Sequence, residues 1–486
     1  MAAYSFCFKH APYIFNNFNF MRYFLKLVFF LATLSFYGCY QGEGIKEIKV
    51  GLHNNNELKI QIDVTTSSDA DVYVKYWPNK IADSTKEITA ISKGKSKHTL
   101  VLCNIIPKTS YAYQVITVKN GTEKASKTYT FESHELPEWL KDQFKAKSAD
   151  EKLLPKELKN GLILVNKRYA PGMAYLVDYK GRLRWYHMVD NVGFKVINFT
   201  KDKTLLSILG GNDEPTSYGS QILEVNLAGD TVLLLKKGQG DFKQTIHHEI
   251  LKNTQGQLVT LFVDQKITDL SHIGGSKQDT INGDGILVMD KNGKQIWKWS
   301  VFDSLDPLKD KALLKTKKDW MHANSLNYDK DGNYIVSFYN NGQIWKIDSK
   351  TGKVMWKFGK GGDIKMPADA GFSQAHAVHI NAEGNLMFFD NGIEKHQSGA
   401  YAFKLNGHTQ TASLDMHIKL PAQIYNDRMG SAYMINKDHI LCCSSKRHII
   451  VLTNRKGVLL WTLEASVPAY RGIFVTSGQL SPYLKP

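Results

Sequence analysis

The sequence repeats. A Gly-x-x-x-Trp pattern stands at Gly181…Trp185, Gly293…Trp297, Gly352…Trp356 and Gly457…Trp461, with weaker copies starting at Gly229 and Gly407. Six units of roughly 55 residues match the period of propeller blades. Each glycine follows a strand-like run ending in polar residues, as in Val288-Met289-Asp290-Lys291-Asn292-Gly293. Each tryptophan lies in the returning run, so the unit reads as a hairpin with a Gly/Asn turn. The sequence therefore predicts an all-β chain with a six-bladed β-propeller over residues 161–486, closed so that few strand edges stay exposed. A composition of 43% hydrophobic residues, 37 glycines and 13 prolines among 486 residues agrees, and excludes wholesale disorder, collagen and a polytopic membrane protein.

Residues 1–39 read as a leader. Arg22 and Lys26 precede an apolar run, Leu27 to Tyr37, that is too short for a membrane span and suits a signal segment. Gly38-Cys39 resembles a bacterial lipoprotein cleavage box, with Cys39 as the lipidated first residue and Met21 as the biological start. The expectation is an exported protein, periplasmic or anchored to the outer membrane of a Gram-negative bacterium through a lipid on Cys39. Residues 45–136 alternate in short strands separated by Asn/Ser/Gly/Lys turns, including 57–64 and 71–77 as separate strands. They predict a small fibronectin III/Ig-like β-sandwich with Trp77 in its core. Residues 137–160 read as a linker with a helical turn or two. Of the other cysteines, Cys442 and Cys443 are adjacent on a strand, point to opposite faces and should not pair with each other. The sequence has no CxxC pair and no Cys/His metal spacing, so no structural zinc is predicted.

A second marker runs with the first. His248 lies eight residues before Gly256, His376 eight before Gly384, and His322 ten before Gly332. Equivalent blade positions form a ring around the axis, so these three histidines should converge at one channel mouth. Three imidazoles can ligate a metal, but a catalytic zinc site also needs oriented carboxylates behind them. Glu249 and Asp319 are near in sequence only, and the reading is no metal and no cofactor. Asp329-Lys330-Asp331-Gly332 and Asn282-Gly283-Asp284-Gly285 lack a full calcium-loop pattern and read as hairpin turns.

From the sandwich through the six repeats, the chain resembles the bacterial aryl-sulfate sulfotransferases. The stretches that carry the resemblance are His247-His248-Glu249-Ile250, Gly283-Asp284-Gly285, Asp319-Trp320-Met321-His322-Ala323-Asn324, His376-Ala377-Val378 with Phe389-Asp390-Asn391-Gly392, and Pro468-Ala469-Tyr470-Arg471. The resemblance implies transfer of a sulfuryl group from an aryl sulfate donor to a phenolic acceptor through a sulfo-histidine, without a nucleotide sulfate. It places the nucleophile at His376, sulfuryl contacts and acid–base work at His248 and His322, and an added donor at Asn324. His379 is expected to lie along the strand, and Trp320 to stack on an aryl ring or pack in the core. The family generally has an arginine where Tyr339 stands, and a glutamine where Ala375 stands. At a substrate-binding position Tyr339 can donate one hydrogen bond but carries no guanidinium, so either Arg428, Lys346 or Arg471 compensates, or the donor and acceptor differ, or activity is weak. The alternative reading is a non-catalytic propeller lipoprotein that binds or scaffolds partners in the envelope. The net charge of +16 fits anionic sulfate esters and an envelope surface. Nucleic acid is not an expected partner, because the Lys and Arg residues are dispersed. Oligomeric state is not legible.

Overall fold

The structure, a computed structural model, describes residues 44–79 and 86–484. The leader, with Cys39, lies outside the described residues. Six antiparallel sheets of four or five strands follow one another as blades. The inner strands Gly193–Phe199, Ile246–Lys252, Ala323–Tyr328, Ala375–Ile380 and Ser431–Asn436 touch in order around an axis. The last strand, Ile473–Thr476, completes the circle by pairing with Gly161–Lys167, so blade 1 is built from both ends of the propeller segment. Closure through backbone hydrogen bonds removes the open edges that a linear array would leave. The segment expected as a linker takes part as well. Between its short helical turns, Phe144–Ser148 pairs with Leu459–Ala465 as a fifth strand of blade 6.

The repeat has a physical explanation in these blades. Every Gly of the pattern lies in the turn between the third strand of a blade and its outer strand. Trp185 Nε1 donates to the Leu227 carbonyl at 2.7 Å, Trp297 Nε1 to Lys350 at 3.3 Å, and Trp461 Nε1 to Tyr179 at 2.7 Å. Each accepting carbonyl lies two residues before the turn glycine of the next blade, at Gly229, Gly352 and Gly181. One blade's tryptophan is thus docked on its neighbour's turn. Apolar clusters fill each junction, with Trp185 between blades 1 and 2, Trp345 between blades 3 and 4, and Trp461 between blades 6 and 1. Cys442 and Cys443 point into different junctions, as their alternation requires, and both are free thiols.

The N-terminal region is one seven-stranded antiparallel sheet folded over a single core. The two strands expected at 57–64 and 71–77 are one continuous strand, Asn56–Pro78. Its first half pairs with Ile45–His53 and Ser92–Leu102, its second with Ser110–Lys119. The pleat puts Tyr76 inside, and the expected core residue Trp77 is turned half outward beneath Lys86. Tyr111 closes the turn before its strand, donating to Asn104 O at 3.3 Å and accepting from Ile106 N at 2.9 Å. The sheet docks on blade 1, where Asn56 Nδ2 donates to Tyr186 O at 3.0 Å and the buried Lys59 lies over the Trp185 ring at 4.6 Å.

Trp185 is fully buried and serves both docking contacts. Truncating Trp185→Ala is expected to cost about 3–5 kcal/mol, the range for a buried large aromatic. Trp297, half-buried on the rim, should cost about 1–2 kcal/mol by the same change because less surface is lost. Denaturant unfolding of the two variants checks the order.

Candidate active site

The three phased histidines do meet. His248 and His322 have ring centroids 5.0 Å apart, and Tyr339 bridges onward, 5.4 Å from His322 and 5.6 Å from His376. They arrive from different heights, however. Counting from each hairpin, His376 pairs with Phe389 on the rung where His247, not His248, pairs with Leu261. His248 follows in a bulge, and His322 precedes its strand, where its carbonyl accepts from Tyr339 N at 2.9 Å. The backbone is left-handed at His248 (φ 58°), His322 (φ 54°) and Ala377 (φ 53°). Such conformations are costly for residues with a Cβ, and bulges re-aim side chains in this way. Convergence therefore depends on local irregularity rather than on equivalent blade positions.

His376 is fixed in one tautomer. Its Nδ1 lies 2.6 Å from Asn391 Oδ1. The Asn391 amide is oriented because its Nδ2 donates to the carbonyls of Asn426 at 2.7 Å and Met429 at 2.9 Å. Oδ1 must then accept, so Nδ1 carries the hydrogen and Nε2 keeps its lone pair. Gly392 makes this turn possible: its φ is +62°, and a Cβ there would stand 1.8 Å from Gln397 O. Burial, then the charge of His322, pushes the His376 imidazole down to about 3, against the opposing Asn391 hydrogen bond. His376 is neutral at physiological pH.

His322 is the opposite case. Burial disfavours its charged form, but the hydrogen bond and charge of Asp319, with Asp284 adding, outweigh that and raise it above the ordinary histidine value. Its Nδ1 donates to Asp319 Oδ2 at 2.7 Å. The site thus sets an imidazole biased toward its cation beside others biased toward the neutral form. Glu249 turns away from the histidines: its two oxygens accept from Asn198 Nδ2 at 2.7 Å and Arg471 Nη1 at 2.6 Å. Arg471 is buried, stays charged, and has no hydrogen-bond partner for Nε or Nη2 among the described residues.

The other expected site residues separate clearly. Asn324 is buried, with Nδ2 donating to Ala375 O at 3.0 Å and standing 3.3 Å from His376 Nδ1, and Oδ1 accepting from Ser337, so it packs against both the backbone before His376 and the imidazole itself. The Tyr339 hydroxyl donates to Asp427 O at 2.8 Å, and burial pushes it up to about 12. Arg428 is largely exposed at the rim beside Asp427. Lys346 does not reach the cluster; it is bound to Asp329 at 2.5 Å and Asp331 at 2.6 Å near the hairpin end of blade 4. His379 faces Tyr433, its Nδ1 donating to Ala377 O. Trp320 packs on Phe302 and donates to Asp310 at 2.9 Å, a core position. Tyr218, absent from the sequence reading, and His247 and Tyr470, which stand in the quoted stretches without a role, also contact this cluster. That reading also misplaced Asn282–Gly285, which lies within the strand Asp279–Met289 and not in a turn. There Gly285 lets the Phe262 ring approach, and Asp284 is buried toward His247. Among the described residues no cluster of three His, Cys, Asp or Glu side chains is arranged to hold a metal.

Residues 147–459 match the Arylsulfotransferase (ASST) family. The chain belongs to the arylsulfotransferase family. Membership makes it an arylsulfotransferase-like enzyme whose substrates are aryl sulfates. A search of curated proteins finds no match. Among solved structures, the chain is similar to a protein of unknown function from Bacteroides caccae, at 10% identity and TM-score 0.42 over 65% of this chain and 99% of that one. A protein of unknown function from Bacteroides thetaiotaomicron gives 12% and 0.34, over 88% and 99%. A virginiamycin B lyase from Staphylococcus aureus gives 10% and 0.36, over 69% and 96%.

The sign of the pH dependence follows from His322. If its positive charge assists an anionic substrate, kcat/KM should fall as pH rises through its raised value, while the depressed His376 adds no acid limb near pH 6. Asp319→Asn removes the partner and should move the alkaline limb downward by about one pH unit, the scale of a single nearby charge. Initial rates of aryl sulfate cleavage from pH 5 to 10 check this.

Proposed function

We propose that this arylsulfotransferase moves a sulfuryl group from a phenolic sulfate ester to a phenol by way of a sulfo-His376 intermediate. The observation that carries the reading is the His376–Asn391 pair: a neutral imidazole whose Nδ1 hydrogen is held by an anchored amide, with Nε2 left as the nucleophile. Sulfuryl transfer should resemble loose phosphoryl transfer, with charge spread over nonbridging oxygens, so positioning and electrostatics do most of the work. Nε2 attacks sulfur, the S–O bond to the aryl oxygen breaks, and the phenolate departs with the bonding pair. A phenol acceptor then attacks the sulfo-histidine and returns His376 to its starting state. Asn391 Oδ1 accepts the Nδ1 hydrogen throughout, which stabilises the positive charge on the sulfated ring. His322, paired with Asp319, supplies the cation for the sulfuryl oxygens, and His248 exchanges the proton with the aryl oxygen.

Incubation with a chromogenic aryl sulfate should release phenol and leave a sulfuryl adduct on His376 when no acceptor is present. His376→Ala should lose at least about 1,000-fold of that release, as expected for removal of a nucleophile. Intact-mass and peptide analysis reads the adduct; its absence from the unsubstituted protein, or undiminished release by the variant, would overturn the reading.

We also propose that the chain is exported and held at the membrane through Cys39. The lipoprotein-like Gly38-Cys39 box supports this. Metabolic labelling with a fatty acid is expected to mark the protein and to be lost in Cys39→Ser; equal labelling of both would sink the anchor.

A further inference from the structure

Behind His248 lies a buried row of titratable groups that the reaction above leaves unused. His247 is fully buried, and its Nδ1 stands 2.8 Å from His248 Nδ1. Two imidazole nitrogens at that distance share one hydrogen, so the tautomer of one ring sets that of the other. On its far side, His247 Nε2 faces Asp284 Oδ1 at 3.4 Å. Neither that nitrogen nor Asp284 Oδ2 has a hydrogen-bond partner among the described residues. Asp284 itself is buried on the third strand of blade 3.

The groups facing this row are Tyr218, stacked on His247, and Tyr470, His322 with Asp319, His376 and Arg471 around His248. Burial pushes His247 down to about 3. Burial and then the charges of His322, His247, His376 and Arg471 hold His248 well below its ordinary value. A proton taken up by His248 therefore cannot remain there as an imidazolium. Asp284 is pushed up to about 7 by burial, against the opposing charge of His322 and the backbone amides of Ala323 and His322. A carboxylate in that environment takes a proton readily and becomes neutral, which leaves no added charge in the interior.

We propose that His248, His247 and Asp284 form a proton relay that supplies the hydrogen to the departing aryl oxygen and recovers it from the incoming phenol. The inference rests on the sulfo-histidine reading. In the loaded state Asp284 carries its proton toward His247 Nε2, His247 Nδ1–H donates to His248 Nδ1, and His248 Nε2–H faces the pocket. As the S–O bond breaks, the Nε2 hydrogen of His248 passes to the phenolate. The hydrogen on His247 Nδ1 moves to His248 Nδ1, and the Asp284 proton moves to His247 Nε2. Asp284 is left as the carboxylate. The acceptor half runs the same transfers backward, so two half-reactions leave the proton count unchanged. His247 and Asp284 touch no reacting atom; they are positioning residues that act through His248.

The test uses the leaving group. Para-nitrophenolate departs without a proton, whereas unsubstituted phenolate needs one. In Asp284→Asn and in His247→Gln, sulfuryl transfer to His376 from phenyl sulfate should slow about 100-fold, within the range for general acid catalysis. Transfer from para-nitrophenyl sulfate should slow by less than about 5-fold, because no proton is required. Rapid-quench mass analysis of the His376 peptide reads both rates. Equal losses with the two donors, or no loss with phenyl sulfate, would overturn the relay while leaving the sulfo-histidine in place. An unsubstituted protein that forms no adduct with either donor would overturn both. Should Asp284→Asn fail to fold, His247→Gln decides, since it breaks the row with the carboxyl retained.

Discussion

The pairing of Ile473–Thr476 with Gly161–Lys167 is the contact on which fold and site both depend. It closes the ring of blades, and it pulls the preceding residues across the axis. Tyr470 N donates to Asn166 at 3.3 Å, and the Tyr470 hydroxyl donates to the Asn324 carbonyl at 3.2 Å. Arg471 meets Glu249 of blade 3. The chain end therefore ties blade 1 to blades 3 and 4 beneath the histidines. A six-bladed ring left open at this point would lose a strand and the buried Arg471–Glu249 contact beside the site.

Much of this architecture was legible because propeller geometry writes itself into spacing. The glycines at 181, 229, 293, 352, 407 and 457 all fall in outer hairpins, and the tryptophans at 185, 297 and 461 each need a carbonyl from the next blade. Such a repeat reports contacts between units as well as their number. The long strand Asn56–Pro78 was not legible, since the Ser/Asp-rich middle of that segment has the composition of a turn while its backbone remains extended. Trp77 was misplaced for a related reason: one step of the pleat exchanges it with Tyr76.

At the site, the sequence marked the three histidines and the Phe-Asp-Asn-Gly stretch but not the geometry that joins them. Residue counting treats His248 and His376 as equivalent, whereas the ladder pairs His247 with the rung of His376. Bulges and left-handed residues undo the count, and nothing in residue types announces where a bulge will fall. Asn324 shows the converse. It reaches His376 Nδ1 at 3.3 Å, but the same amide nitrogen also donates to the Ala375 carbonyl. Partners of polar groups belong to tertiary structure, and a donor that looks free in the sequence can be shared with the backbone.

The substitution at Tyr339 changes the electrostatic character of the pocket and not only its contacts. An arginine there would be charged at every working pH. Tyr339 is neutral, and Lys346 and the exposed Arg428 do not replace that charge inside the cluster. Arg471 is buried close by and paired with Glu249 at 2.6 Å, with Nε and Nη2 lacking a hydrogen-bond partner among the described residues. Within the ring cluster itself the imidazole biased toward its cation is His322, through the hydrogen bond and charge of Asp319. A sulfate monoester carries one negative charge, so a single imidazolium is enough to match it, but this match can be titrated. On the proposed reaction, where an arginine would fix the anion affinity, the Asp319–His322 pair makes it follow pH.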